Sequence, residues 1–384
     1  MTVISTKRIG VLALAAAVLA GACSSAATPA PTTAPSAAAS GVASAAPGAS
    51  VPLPPSANVT LTGTGATFPV PLYDVWNDAF NFKYKTVQVD YKGIGSGGGI
   101  KAITEQTVDY GASDAALTEA AIAALPAGSK VLHIPTVLGA VVVIYNVAGL
   151  DLNLDGTTVA NIFLGKITKW NDPAIVALNS GATLPDLAIK VVHRSDGSGT
   201  TNAFTTYLDT VSPDWKSQVG KGTDVKWPTG IGAAGNDGVA GGVKGDANKG
   251  AIGYVELNYA TTAKLTSAKI KNAAGKFVAG STAGVTAAAE GAVASFPADF
   301  RQAPIINGAG DATYPVAAYT YLLVYQAQKD ANKAQALVAY IYWGLTDGQT
   351  TTGGLGYARL PEPIRVKALQ QLHLITVNGT AVWP

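Results

Sequence analysis

Val191-Val192-His193-Arg194-Ser195-Asp196-Gly197-Ser198-Gly199-Thr200 reads as a strand that runs into a small-residue turn and opens a helix. The helix is announced by Phe204, Tyr207 and Leu208, whose i, i+3, i+4 spacing marks one apolar face. The first N–H groups of a helix lack intrahelical partners and sit at the positive end of its dipole, so such a turn is a natural anion seat. Ser198 is placed to cap the helix, Gly197 and Gly199 let an anion approach the backbone, and Arg194 brings a bidentate cation. An ordinary capped turn with a surface arginine has the same residues, so the rest of the chain must decide.

Upstream, Lys7 and Arg8 precede an apolar run from Ile9 to Leu19 and the small residues Ala20-Gly21-Ala22, the pattern of a leader peptide over residues 1–22. Cys23 is the only cysteine and falls directly after the cleavage site, which marks it as the lipid attachment point of an exported lipoprotein. Ala20 stands where such sites usually carry leucine. Residues 23–57 are Ala, Pro, Ser, Thr and Gly with few apolar side chains and no charge, so a disordered tether is expected there.

The chain has 26 Lys plus Arg against 24 Asp plus Glu; two of the basic residues lie in the leader, so the remainder is neutral. That balance offers no footprint for nucleic acid. With one cysteine there is no internal disulfide, and the length beyond the tether exceeds what a single core usually organises, so two lobes of an α/β fold are expected.

Three more stretches in the first part of the chain resemble the opening one. Gly63-Thr64-Gly65-Ala66-Thr67-Phe68-Pro69 leads into a helix with Leu72, Val75, Trp76, Ala79 and Phe80 on one face, and Thr67 is placed to cap it. Val87 to Tyr91 alternates like a strand and runs into Gly93-Ile94-Gly95-Ser96-Gly97-Gly98-Gly99, with a helix expected from about Ile100. Val108 to Asp114 reads as a strand that delivers a carboxylate at its end. In open α/β sheets ligands collect at the carboxyl ends of strands, and all four stretches end there.

Rival chemistries have weaker signatures. Gly93, Gly95 and Gly98 satisfy the dinucleotide fingerprint formally, but they follow a second strand in an exported chain, and Ile100 stands where a P-loop needs lysine. His133, His193 and His373 are isolated in sequence, which does not resemble a hydrolytic metal site. Neither Ser96 nor Ser198 has the upstream glycine of a nucleophile elbow. No enzyme activity, metal or cofactor is expected.

The four stretches, with Phe163-Leu164-Gly165-Lys166-Ile167-Thr168-Lys169-Trp170, Lys226-Trp227-Pro228, Gly235-Asn236-Asp237-Gly238, Gly253-Tyr254-Val255-Glu256 and Leu355-Gly356-Tyr357-Ala358-Arg359-Leu360-Pro361, resemble the periplasmic phosphate-binding proteins of phosphate-specific ABC transporters in order and spacing. The likeness spans residues 58–384. It implies a hinged, two-lobed type II binding-protein fold, with lobe I at 58–136, lobe II at 137–312, and a return to lobe I at 313–384. It implies phosphate contacts at Thr67 and Phe68 through backbone N–H groups, with the Thr67 hydroxyl, and at Ser96, Asp114, Arg194, Ser198, Gly199 and Thr200. Asp196 is expected to support Arg194. Gly97 and His193 depart from the pattern, where the family often has a second serine and a second arginine. The resemblance also implies membrane permease subunits as partners, a monomer, and a place outside the cytoplasmic membrane, held by the lipid on Cys23. An ionised Asp114 only accepts hydrogen bonds, so it would favour a ligand that carries a proton, as phosphate does and sulfate does not.

Overall fold

In the computed structural model, which describes residues 50–384, strand β1 (Val59–Gly65) buries Val59 and Leu61 and exposes Thr60 and Thr62. From Gly63 onward every residue of β1 is buried, because its carboxyl end is covered on both faces. Helix α1 (Val70–Lys83) follows, then β2 (Val87–Gly93), α2 (Ser96–Thr104) and β3 (Tyr110–Ser113). Both β2 and β3 lie parallel to β1, so the three strands end on the same edge. Strand β4 (Val131–Tyr145) is buried along its whole length.

The second set of elements repeats this plan. Strand β5 (Lys190–Arg194) leads to α3 (Gly199–Val211), and β6 (Ile231–Ala233) leads to α4 (Gly235–Val243), followed by β7 (Ala251–Glu256). β5 is parallel to both β6 and β7. The chain then returns through β8 (Val316–Tyr325) and α5 (Ala331–Leu345).

Among the described residues these strands belong to one ten-stranded sheet whose main path runs β2-β1-β3-β8-β4-β7-β5-β6. β4 joins its two ends. Its first part, from Val131 to Ala140, pairs antiparallel with β8, and its last part, from Val141 to Tyr145, pairs with β7. β8 also pairs with β3, and the register shifts between Thr320 and Tyr321. Continuous burial of β4 is what such a bridging strand requires, since it has protein on both faces wherever it runs.

In the returning segment, Tyr319 to Tyr325 forms the last part of β8, and Leu337, Val338 and Ile341 are buried in α5. The face read for α1 needs correcting. Val75 is exposed, and Tyr73 and Asn77 are buried beside Leu72, Trp76 and Phe80. The reason lies in polar partners: Tyr73 and Thr136 hydroxyls meet at 2.9 Å, and Tyr340 donates to Asn77 Oδ1 at 2.7 Å. Hydrophobicity alone does not register such pairs.

The tether was expected to reach Ala57, yet its last part is fastened to the folded body. Gln335 donates to the Leu53 carbonyl at 3.0 Å, Thr86 to the Pro55 carbonyl at 2.9 Å, and the Trp383 indole to the Ser50 carbonyl at 2.7 Å. Backbone carbonyls supply these bonds, so composition carries no trace of them. The leader, Cys23 and the rest of the tether lie outside the described residues. Among the described residues, no helix is long and apolar enough to cross a membrane.

Candidate functional site

Four helices begin where parallel strands end: α1 after β1, α2 after β2, α3 after β5 and α4 after β6. The turns that open them carry six of the eight residues expected to hold an anion; the others are Asp114, which directly follows β3, and Arg194, which ends β5. Ser198 caps α3, its Oγ accepting from the Thr201 N–H at 3.1 Å. α2 begins at Ser96 and not near Ile100. Its glycines suggest a loop by propensity, but a Cβ on Gly99 would lie 2.6 Å from Gly65 Cα, so glycine is what lets the helix press onto β1 and β3. The two glycine turns touch: the Gly97 N–H donates to the Gly197 carbonyl at 2.8 Å.

Ser96, Asp114, Arg194, Ser198 and Thr200 are all buried, and so are Thr67, Phe68 and Gly199. Ser96 joins the two sides. Its Oγ accepts from the Gly199 N–H at 3.0 Å and from the Asp114 N–H at 3.2 Å. Its own proton faces Asp114 Oδ2 at 3.5 Å, the edge of hydrogen-bond range. Arg194 is clamped by Asp196, with Nε to Oδ1 at 2.7 Å and Nη2 to Oδ2 at 2.5 Å. Asp196 Oδ1 also accepts from the Gly235 N–H at 3.1 Å.

The electrostatics separate the two carboxylates. Burial pushes Asp114 up to about 7, with Thr320, Arg194 and Ser96 pulling it back. For Asp196 burial also acts upward, but bonding and charge contact with Arg194 outweigh it and hold the carboxyl below its usual value. Among the buried polar atoms without a hydrogen-bond partner are Asp114 Oδ1, an acceptor when ionised, and Arg194 Nη1, a donor. A buried unpaired acceptor beside a buried unpaired donor is costly unless a ligand that can both accept and donate meets them.

Thr67 does not cap α1. The N-cap residue is Pro69, without a side-chain cap bond, and Thr67 Oγ1 instead accepts from Asn236, from its N–H at 3.2 Å and its Nδ2 at 3.0 Å. The helix keeps its place through backbone bonds, Leu72 and Tyr73 N–H groups donating to the Pro69 carbonyl at 3.0 and 2.8 Å. Phe68 sends its ring into the core and its carbonyl accepts from Tyr357 Oη at 2.7 Å. Asn236, fully buried on α4, was not singled out from the sequence as a site residue. The signal that was available is its position just after a strand end in Gly235-Asn236-Asp237-Gly238, the same context as Ser96 and Gly199.

His193 departs from the arginine pattern by lying flat on Trp227, with ring centroids 4.7 Å apart, while its Nδ1 faces the Arg194 carbonyl at 2.9 Å. Burial holds its imidazole below the ordinary value, so it adds no positive charge at neutral pH. His133 is buried as well, accepts from the Leu117 N–H at 3.0 Å, and is lowered by burial to about 4.

A sheet assembled in two parts around a bridging strand, with helix N-termini from both parts meeting at a buried site that holds Asp114 and Arg194, defines a two-lobed α/β binding protein. A family model described as a PBP superfamily domain matches residues 28–347. Phosphate-binding protein PstS of Xylella fastidiosa is 41% identical over 324 residues, covering 83% of this chain and 86% of the relative. The protein of that name from Pasteurella multocida is 41% identical over 330 residues, covering 84% and 93%. Among solved structures, a phosphate-binding protein from Stenotrophomonas maltophilia has the same fold, with a TM-score of 0.64 at 24% identity over 82% of this chain and 94% of that one. The chain belongs to the PstS family of phosphate-binding proteins.

Proposed function

We propose that this protein is a high-affinity receptor for inorganic phosphate, which it captures outside the membrane by closing two lobes and delivers to an ABC permease. The observation that carries the reading is the buried pair of unpartnered atoms, Asp114 Oδ1 and Arg194 Nη1, set among the N-termini of helices from both ends of the sheet. Dibasic phosphate meets Arg194 as an anion and Asp114 as a hydrogen-bond donor. Sulfate lacks the proton and would press a lone pair on the carboxylate.

The contacts assigned to the ligand are the N–H groups and hydroxyl of the Thr67-Phe68 turn, Ser96, Asp114, Arg194, Ser198, Gly199 and Thr200, with Asp196 holding the guanidinium. Lobe I is assigned to 58–136 and 313–384, and lobe II to 137–312, so the chain passes between lobes within β4 and again just before β8. Neither lobe holds enough of these groups alone, and a ligand that bridges them favours the closed state by its differential contacts. Binding and release, without chemical turnover, suit a site in which Ser198 caps its helix and Ser96 Oγ is engaged by two N–H groups. A monomer tethered through acylated Cys23 to the outer face of the cytoplasmic membrane, handing phosphate to the permease subunits, completes the proposal.

The test is calorimetric titration of the protein with phosphate and then sulfate, after unfolding and refolding to strip carried-over ligand. Micromolar or tighter phosphate binding without sulfate heat is expected. A folded, stripped protein that gives no phosphate heat would overturn the assignment.

A further inference from the structure

Asn236 is fully buried, and every polar atom of its side chain is used. Its Oδ1 accepts from the Glu256 N–H at 3.0 Å, and since that group can only donate, the orientation of the amide is settled by chemistry. The Nδ2 group then has two protons for two hydroxyls, Thr67 Oγ1 at 3.0 Å and Thr200 Oγ1 at 3.2 Å. The backbone N–H of Asn236, free because it lies in the first turn of α4, donates to Thr67 Oγ1 as well, at 3.2 Å.

A hydroxyl has one proton and two lone pairs. Both lone pairs of Thr67 Oγ1 are therefore taken by Asn236, and the one proton must point away from it. Thr200 Oγ1 accepts a single N–H from the same amide, which turns its proton away from Asn236 and leaves it one lone pair. Neither hydroxyl is an intramolecular donor among the described residues.

We propose that Asn236 is a positioning residue for the anion site, which locks the Thr67 hydroxyl as a donor aimed at the ligand and orients that of Thr200, while tying α4 to the turn before α1. This rests on the phosphate-receptor reading above. An undirected hydroxyl can accept from a protonated ligand as readily as it can donate to an anion. With Thr67 set as a donor and Ser96 Oγ occupied by two N–H groups, the charged acceptor left for a protonated ligand is Asp114. The site then counts protons on its ligand, and Asn236 fixes the count from the lobe II side.

Phosphate affinity is measured by calorimetry for the parent, Asn236→Ala, Asn236→Asp, Thr67→Val and the Thr67→Val/Asn236→Ala pair. Loss of charge-assisted donation from two hydroxyls predicts about 10- to 100-fold weaker binding for Asn236→Ala. Because Asn236 acts through Thr67, the same change in the Thr67→Val background should cost at least about threefold less. Asn236→Asp keeps the acceptor for Glu256 but draws both hydroxyl protons to itself, so it should bind phosphate at least as poorly as alanine does, and it decides the matter should alanine fail to fold. Equal penalties in both backgrounds, or parent-like binding by Asn236→Asp, would overturn the role of Asn236 while leaving the phosphate site standing. A parent that binds no phosphate would overturn both.

Discussion

The two glycine turns that meet across the cleft, one opening α2 and one opening α3, use the same backbone physics for opposite ends. At α3 the cap is a side chain, Ser198, and the turn carries the cation Arg194 with its clamp Asp196. At α2 the N-cap is Gly95, with φ of +89° and no side-chain cap, and the charge nearby is the carboxylate of Asp114. In the proposed receptor, one side attracts the anion and the other examines it. The asymmetry shows in the carboxyls: Asp196 is held below its usual value, whereas Asp114 is raised to about 7. A site of donors alone would bind any tetrahedral anion; an acceptor placed opposite the cation confers discrimination.

The comparison is broken hardest by removing the examiner. Asp114→Asn replaces an acceptor-only group with one that can donate, and the preference for phosphate over sulfate should fall by about four orders of magnitude, read from paired titrations. Sulfate binding no better than in the parent would sink this account of selectivity. Removing the attractor, Arg194→Ala, leaves Asp196 half-buried and unpaired, and phosphate affinity should drop by a factor on the order of 10² to 10⁴. Affinity within threefold of the parent would mean that the site is elsewhere.

A third test reads the same asymmetry without ligand. The folded value of Asp114 is raised, so the folded state holds that proton more tightly than the unfolded chain, and the contribution of this group to stability is lost as pH climbs from about 4 to about 7. Asp114→Asn should remove part of that loss, up to a few kcal/mol, seen as a melting temperature that exceeds the parent's at pH 8 but not at pH 4 in phosphate-free buffer. Glu256, raised by burial, adds to the slope in the same direction, and His133, lowered by burial, opposes it, so the comparison is made between variant and parent at each pH. Last, Gly95→Ala puts a Cβ against Asp196 and the Gly197 carbonyl and forces a left-handed backbone on alanine. Phosphate should bind roughly tenfold more weakly, with small-angle scattering showing a smaller ligand-induced contraction. Unchanged affinity would show that the turns need not touch for tight binding.

Much of the site was legible because its residues announce themselves locally. Ser198 caps its helix where the small-residue turn said it would, and Phe204, Tyr207 and Leu208 are buried on the face their spacing marks. What could not be read is whatever depends on a partner from far along the chain. Thr67 had the type and place of a cap, yet its hydroxyl is taken by Asn236, 169 positions away. Gly97 to Gly99 read as loop, because glycine is a poor helix former in isolation and only the closeness of β1 and β3 makes it necessary.

By itself, then, the sequence determined the repeated strand-turn-helix units, the charges each would carry and the family to which they belong, since period, capping chemistry and motif order are properties of neighbouring residues. Only the tertiary structure decided that Asp114 faces Arg194 across one buried cleft, that Ser96 and Asn236 bond across from one set of elements to the other, and that Ser50 to Ala57 lies on the folded body. Those facts rest on hydrogen bonds and desolvation between segments brought together by the sheet. The free energy of a buried polar group is set by the partner the fold supplies, not by the residues beside it in the chain.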